Sequence, residues 1–200
     1  MVAGQADIFL ASNSPTFAAR ALMEEGAALA ELNQPDPARA LLERGIAIEM
    51  QHPAGGKSTR FLADSNAHLA DLDTQTGHAD AARQRLEQFL ASQGYPRTPA
   101  QVSLLFALLS AARATLALQD FRAAETYARD ALRLAESVAR GPDTSADVGE
   151  SLLVLARIKR AEHQLTEVRP LLTRALRCFT EGVGPDAPAT AQVRDELGHS

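Results

Sequence analysis

The chain has 200 residues and a formal net charge of −5 with both signs interspersed, which excludes the basic stripe that a phosphate backbone requires and, with it, direct nucleic-acid binding. Apolar residues make up 46% of the chain, but aromatics only 4% and Trp is absent, so an Ala- and Leu-rich helical chain is favoured over a sheet. A single cysteine, Cys178, excludes an internal disulfide framework, and no stretch reaches eighteen consecutive apolar residues, so a soluble cytoplasmic protein with no membrane span is expected.

Residues 1–13 carry no periodic pattern and are expected to be disordered or a partial helix. A first helix opens at Ser14-Pro15-Thr16-Phe17, with Ser14 as N-cap and Pro15 at the first helical position, and runs to about Leu32. Asp36-Pro37 opens a second helix by the same device. The stretch HPAGGKSTRF, His52 to Phe61, breaks the pattern. It resembles the tail of a phosphate-binding loop, but that loop needs Gly where Gln51 stands and a strand before it, whereas the preceding segment is helical by period. It therefore reads as a linker opening a third helix, Lys57 to Thr74, with no more than a weak anion site at the helix start. The fourth helix covers Ala79 to Ser92. A capping box, Thr98 to Gln101, opens the fifth, and the sixth covers Asp120 to Ala139. The seventh runs from about Ser145 to Glu162, and the eighth from Leu165 to Glu181. A last helix, Ala187 to Leu197, is polar on one face and would shield the end of the array.

The segments repeat. Aligned on a recurrent small residue, Ala38, Ala82, Ala124 and Val168 fall in register at spacings of 44, 42 and 44. Twelve residues before each lie Gly26, Ala70, Ala112 and Ala156, and four further back Leu22, Asn66, Leu108 and Leu152, one helical turn away on the same face. Leu42, Leu86 and Leu172 recur with Ala128 as the exception, and Gly45, Ala131 and Ala175 recur with Phe89 as the exception. The small residues are needed where helices press together.

On these positions the chain resembles tetratricopeptide (TPR) repeats, whose paired antiparallel helices carry a large residue, a small one four on, and Ala twelve further. The period of 42 to 44 and the Gly-Pro-Asp segments at Gly141 and Gly184 resemble the long kinesin-light-chain variety found in bacterial signalling proteins. The resemblance implies an all-α, right-handed superhelix of about four helical hairpins (roughly 14–52, 57–94, 98–140 and 144–182) with a capping helix over 186–200. It also implies a protein-interaction module, serving as a regulatory or scaffolding part of a larger bacterial protein such as a kinase or transcription regulator.

The family's groove positions fall here on Arg20, Met23, Glu24 and Ala27, on Asp64, Ala67, His68 and Asp71, on Phe106, Leu109, Ser110 and Arg113, and on Glu150, Leu153, Val154 and Arg157. Arg113 and Arg157 would stand side by side for an acidic or carboxylate-bearing peptide, over an apolar floor of Phe106, Leu109 and Leu153. The paired Asn and Lys of the chaperone-tail-binding members are lacking. The alternative is self-association as a homodimer, with the groove filled by the chain's own end or by a second copy.

No chemistry competes with this reading. Cys178 sits on the eighth helix as a small core residue, and the histidines at 52, 68, 78, 163 and 199 show no metal-ligand spacing. Asp71 and Asp73 lie on a helix face without an apolar pocket legible in the sequence. Asn66, in a Leu register, is expected to be a buried hydrogen-bonding residue that ties repeats together, the alternative being a site of functional strain. Neither enzymatic activity, cofactor nor metal is expected.

Overall fold

The computed structural model describes residues 14–52, 58–97, 101–141 and 143–199. Among them are nine α-helices and one short 3-10 turn, with no strand. The helices are α1 (Pro15–Glu31), α2 (Pro35–Gln51), α3 (Ser58–Gln75), α4 (Ala79–Ser92), α5 (Leu105–Ala117), α6 (Phe121–Val138), α7 (Ala146–Ala161), α8 (Leu165–Val183) and α9 (Pro188–Gly198). Consecutive pairs form four hairpins. Each even-numbered helix packs on its own odd-numbered partner and on the next odd helix, and α3 also packs directly on α5. The result is a solenoid of TPR-like hairpins in two layers, closed at one end by α9 lying on α8.

The register positions are the contact surface of this stack. Ala38, Ala82, Ala124, Ala70, Ala112 and Ala156 are wholly buried, as are Leu42, Leu86 and Leu172. The main core runs continuously from the second hairpin to α9, taking in Ala63 through Val193, whereas Ala38, Leu42, Leu69 and Leu72 form a separate small cluster under the first hairpin. Cys178 is buried in the main core, and burial pushes its thiol above the ordinary cysteine range.

In the first hairpin two glycines are required by close approach. A Cβ on Gly26 would lie 2.8 Å from Leu42 Cγ and 3.1 Å from Ala38 O, and one on Gly45 would lie 2.7 Å from Met23 Cγ and 2.9 Å from Ala19 O. Phe89 takes the Gly45 register in the second hairpin, stands half-buried, and lines a cavity of about 640 Å³ between α2, α3 and α4.

Helix starts follow local chemistry with some differences from the sequence reading. Asp120 Oδ1 accepts the Ala123 N–H at 3.1 Å and Ser145 Oγ accepts the Val148 N–H at 3.4 Å, so both act as N-caps. Ser14 stands at the N-cap of α1 without a side-chain cap bond, and α2 starts at Pro35 instead of Asp36, because Pro35 already supplies the preset φ of a first helical turn. The proposed capping box falls outside the described residues apart from Gln101, which is extended; the chain then makes a 3-10 turn, Val102–Leu104, before α5 begins. Residues 1–13 and 53–57, including most of the Gly-Gly-Lys-Ser stretch, and Pro142 of the first Gly-Pro-Asp segment likewise lie outside the described residues.

Asn66 corrects an expectation. It is buried, but its Nδ2 donates at 2.7 Å to Leu62 O, one turn back in its own helix, so this bond satisfies the amide locally and does not tie two repeats together.

Every hairpin turns through the same device. Asn33, Gly77, Gln119 and His163 have φ of 56°, 84°, 61° and 60°, at the spacings of the repeat. In each turn the N–H of the next residue reaches five back: Gln34 to Leu29 O (2.9 Å), His78 to Asp73 O (2.7 Å), Asp120 to Thr115 O (2.9 Å) and Gln164 to Lys159 O (2.9 Å). The left-handed residue itself donates three back, to Ala30, Thr74, Leu116 and Arg160. This is the Schellman pattern, and three of the four positions bear a side chain where glycine is unstrained.

Gln119→Gly or His163→Gly is therefore expected to raise stability by roughly 0.5–1 kcal/mol, and Gly77→Ala to lower it by about 1 kcal/mol, as read from urea midpoints followed by circular dichroism. Opposite signs would show that these side chains hold the turn by contacts that outweigh the backbone strain. Gly45→Ala should cost about 1 kcal/mol net in the same assay, because displacing the Ala19 carbonyl outweighs the gain in helix propensity; a stabilised variant would mean that α1 and α2 part freely.

Candidate functional site

The odd-numbered helices form one layer, and the side chains projecting from it build the candidate groove. Ala27, Asp71, Arg113 and Arg157 share one register position on α1, α3, α5 and α7, and Arg20, Asp64, Phe106 and Glu150 share another, about two turns earlier.

Arg113 is the centre. Its Nη1 donates to Asp71 Oδ2 at 3.1 Å and its Nη2 to Glu150 Oε1, so one guanidinium joins α3, α5 and α7. All three side chains are a little over one-quarter exposed. Ser110 Oγ lies 3.4 Å from Arg113 Nη1. Burial lowers the Arg113 pKa, but the Asp71 and Glu150 charges with their hydrogen bonds hold it above the ordinary arginine value. Burial raises the Asp71 carboxyl above the usual carboxylate range against the lowering pull of Arg113. A second cluster closes the far end. Arg157 Nη2 and Nε donate to Glu196 Oε1 at 2.7 and 3.0 Å, and Arg160 Nη1 to Glu196 Oε2 at 3.2 Å, tying α7 to the end helix α9.

These bonds correct the expected receptor for an acidic peptide. Arg113 and Arg157 do not stand as a free pair, because each is neutralised by carboxylates of its own chain. The expected apolar floor is also absent from the surface: Leu109 and Leu153 are sealed, as are Met23, Ala67, Ser110 and Val154, because each odd helix turns those positions into its neighbours. Phe106 alone of that floor is exposed, at 42%.

What the groove presents is polar and leans acidic. Asp64, His68 and Asp71 line one face of α3, with His68 a turn from each carboxylate. Asp64 Oδ2 lies 3.7 Å from Arg60 Nε, while its Oδ1 is buried without a hydrogen-bond partner, and burial pushes its carboxyl pKa up. His68, Asp71 and Gln75 line a small cavity of about 170 Å³ against Ala30 and Glu31. On the rim, Arg20 pairs with Glu24 at 3.3 Å and its guanidinium stacks 4.2 Å over the Phe61 ring. Ala27 is half-buried beside them. Among the described residues no cluster of His, Cys, Asp and Glu could hold a metal ion.

The end-helix contacts of Glu196 and Arg160 escape a reading that treats α9 only as a shield. The signal for the Asp71–Arg113 pair was present, since the two lie 42 residues apart in one register with opposite charge.

The fold is similar to that of BtubC (BKLC) from P. vanneervenii, with a TM-score of 0.74 and 21% identity over 95% of this chain and 75% of that one. Two structures of a Podosopora anserina putative kinesin light chain with nearly identical TPR-like repeats match with TM-scores of 0.67 and 0.66, at 21% identity over 92% of this chain and 85% of that one. No family model and no curated protein matches the sequence. The likeness establishes the architecture, a TPR-like helical repeat.

Arg113→Met is expected to cost about 2 kcal/mol, because it leaves two half-buried carboxylates facing each other; adding Asp71→Asn and Glu150→Gln should recover most of it. Urea denaturation of the single and triple variants checks this, and an unperturbed single variant would remove the ladder from any structural role.

Proposed function

We propose that this TPR-like repeat protein is an interaction module that binds a polypeptide segment along the concave layer of odd-numbered helices. The observation that supports it is the line of partly exposed polar side chains, Asp64, His68 and Asp71 on the second hairpin and Glu150 on the fourth, bridged by Arg113 of the third, while the residues beside them are sealed. A solenoid creates such an extended face without dedicated loops, and regularly spaced acceptors suit a chain that brings donors at intervals. The arginines being internally neutralised, the fitting ligand carries Lys, Arg or amide groups, in place of the acidic peptide expected from the sequence. Phe106 and the Arg20–Phe61 stack give that ligand an apolar and planar rim. The long repeat period supports a regulatory or scaffolding role within a larger bacterial signalling protein. α9 meets only the far end of the layer through Glu196, which leaves α1, α3, α5 and the start of α7 for a partner.

Selection of displayed peptides against the full chain tests the reading. The recovered peptides should be enriched in basic residues and should lose about tenfold in affinity, close to 1.4 kcal/mol, on Asp64→Asn with His68→Ala, while Arg129→Ala on α6 leaves them unchanged. No enrichment, or binding indifferent to the α3 pair, overturns it.

A further inference from the structure

The even-numbered helices carry a second cavity, of about 510 Å³, between α4, the turn that follows it, and the start of α6. Its floor is apolar, with Leu90, Ala91 and Ala123, and its wall is the tyrosine pair Tyr95 and Tyr127, whose ring centroids are 6.1 Å apart at a 33° tilt. Tyr95 is fixed there by donating its hydroxyl proton to Asp130 Oδ2 at 2.5 Å. Two carboxylates, Glu87 and Asp120, stand at the mouth. Burial first, then the Glu87 and Asp120 charges, raise the Tyr127 phenol pKa against the lowering pull of Arg83.

We infer that this cavity receives an arginine or lysine side chain of a polypeptide partner. An aliphatic stem fits the apolar floor, a cation is attracted by an aromatic face, and the head meets carboxylates that have acceptor positions to spare. The volume lies within the range of sites that enclose small ligands. Arg122 also lines the cavity, but the residue is exposed, so its repulsion of an incoming cation is screened by solvent. The corresponding cavity between the first two hairpins makes the contrast: there Arg85 takes the register of Tyr127 and Gln88 that of Asp130, so neither the aromatic wall nor the acid behind it is repeated. The site lies on the layer opposite the concave face and stands independently of the function proposed for that face.

The composition supplies a selective probe. The protein has two tyrosines and no tryptophan, so its intrinsic fluorescence comes from Tyr95 and Tyr127, both of which line this cavity. The full chain is titrated with acetyl-Gly-Arg-Gly-amide, with the same peptide carrying the neutral isostere citrulline, and with spermidine. The arginine peptide is expected to give a saturable change in tyrosine emission with Kd on the order of 1 mM, weakened by salt and at least several-fold by Glu87→Gln, with far-UV circular dichroism unchanged. The citrulline peptide should give none. An equal response to citrulline, indifference to Glu87→Gln, tighter binding of spermidine than of the arginine peptide, or no saturable response in that range overturns the assignment.

Discussion

Backbone approach at the small-residue positions sets the rest of this structure. Where Gly45 meets the Ala19 carbonyl and Gly26 meets Leu42 and the Ala38 carbonyl, there is no room for even one added carbon. The alanines that fill the matching positions in the later hairpins are wholly buried. Close-packed interiors tolerate little change in volume, so these contacts fix the distance between helices within a hairpin and from one hairpin to the next. The polar ladder inherits that spacing. A guanidinium can bridge carboxylates on two neighbouring helices only if both lie within about 3 Å of its nitrogens, and Arg113 does so from the middle of three helices that the alanine contacts hold in place.

The ladder in turn decides what the face of the odd-numbered helices can do. Had α3 and α7 carried neutral residues at 71 and 150, Arg113 would offer its donors to a ligand. With Asp71 and Glu150 present, those donors are spent inside the protein, and three charges with a net of −1 remain half-covered. Replacing the ladder by a ligand's own carboxylate would require breaking a charge-assisted pair in a partly desolvated setting, at a cost that the new pair could at best match. A donor-bearing ligand adds to the ladder without dismantling it. The same logic operates at the far end, where Glu196 spends both Arg157 and Arg160 to seat α9 against the last hairpin.

How much of this was legible in the sequence depends on what kind of information each feature carries. Periodic volume was legible: Gly26, Ala70, Ala112 and Ala156 mark close contacts in one dimension, and the contacts form where the marks are. The left-handed turns were only half legible, because Gly77 and Asn33 are residues that favour that φ, while Gln119 and His163 take the same φ at the ends of α5 and α7 without such a preference to mark them. The arginines were placed correctly on their helices but assigned to a ligand, because register gives the position of a side chain and not the company it keeps. Asp71 and Arg113 were both in view, yet their pairing depends on how far apart α3 and α5 lie. Leu109 and Leu153 failed for the complementary reason: an Ala-rich layer packs so closely that positions which would line a wider groove are sealed.

The third hairpin connects the two faces of the array. α5 carries Arg113 into the polar ladder, and the Gln119 turn at its end places Asp120 as the N-cap of α6, in the lining of the tyrosine-walled cavity. The Asp120 N–H is held by Thr115 O inside α5, and its side chain by the first turn of α6, so its carboxylate is located from both sides. A rigid hairpin of this kind can hold a polar ladder on one surface and a charged cavity on the other without either relying on a flexible loop, and rigidity is what lets weak, regularly spaced contacts add up along a bound segment, since little conformational entropy is lost when each one forms.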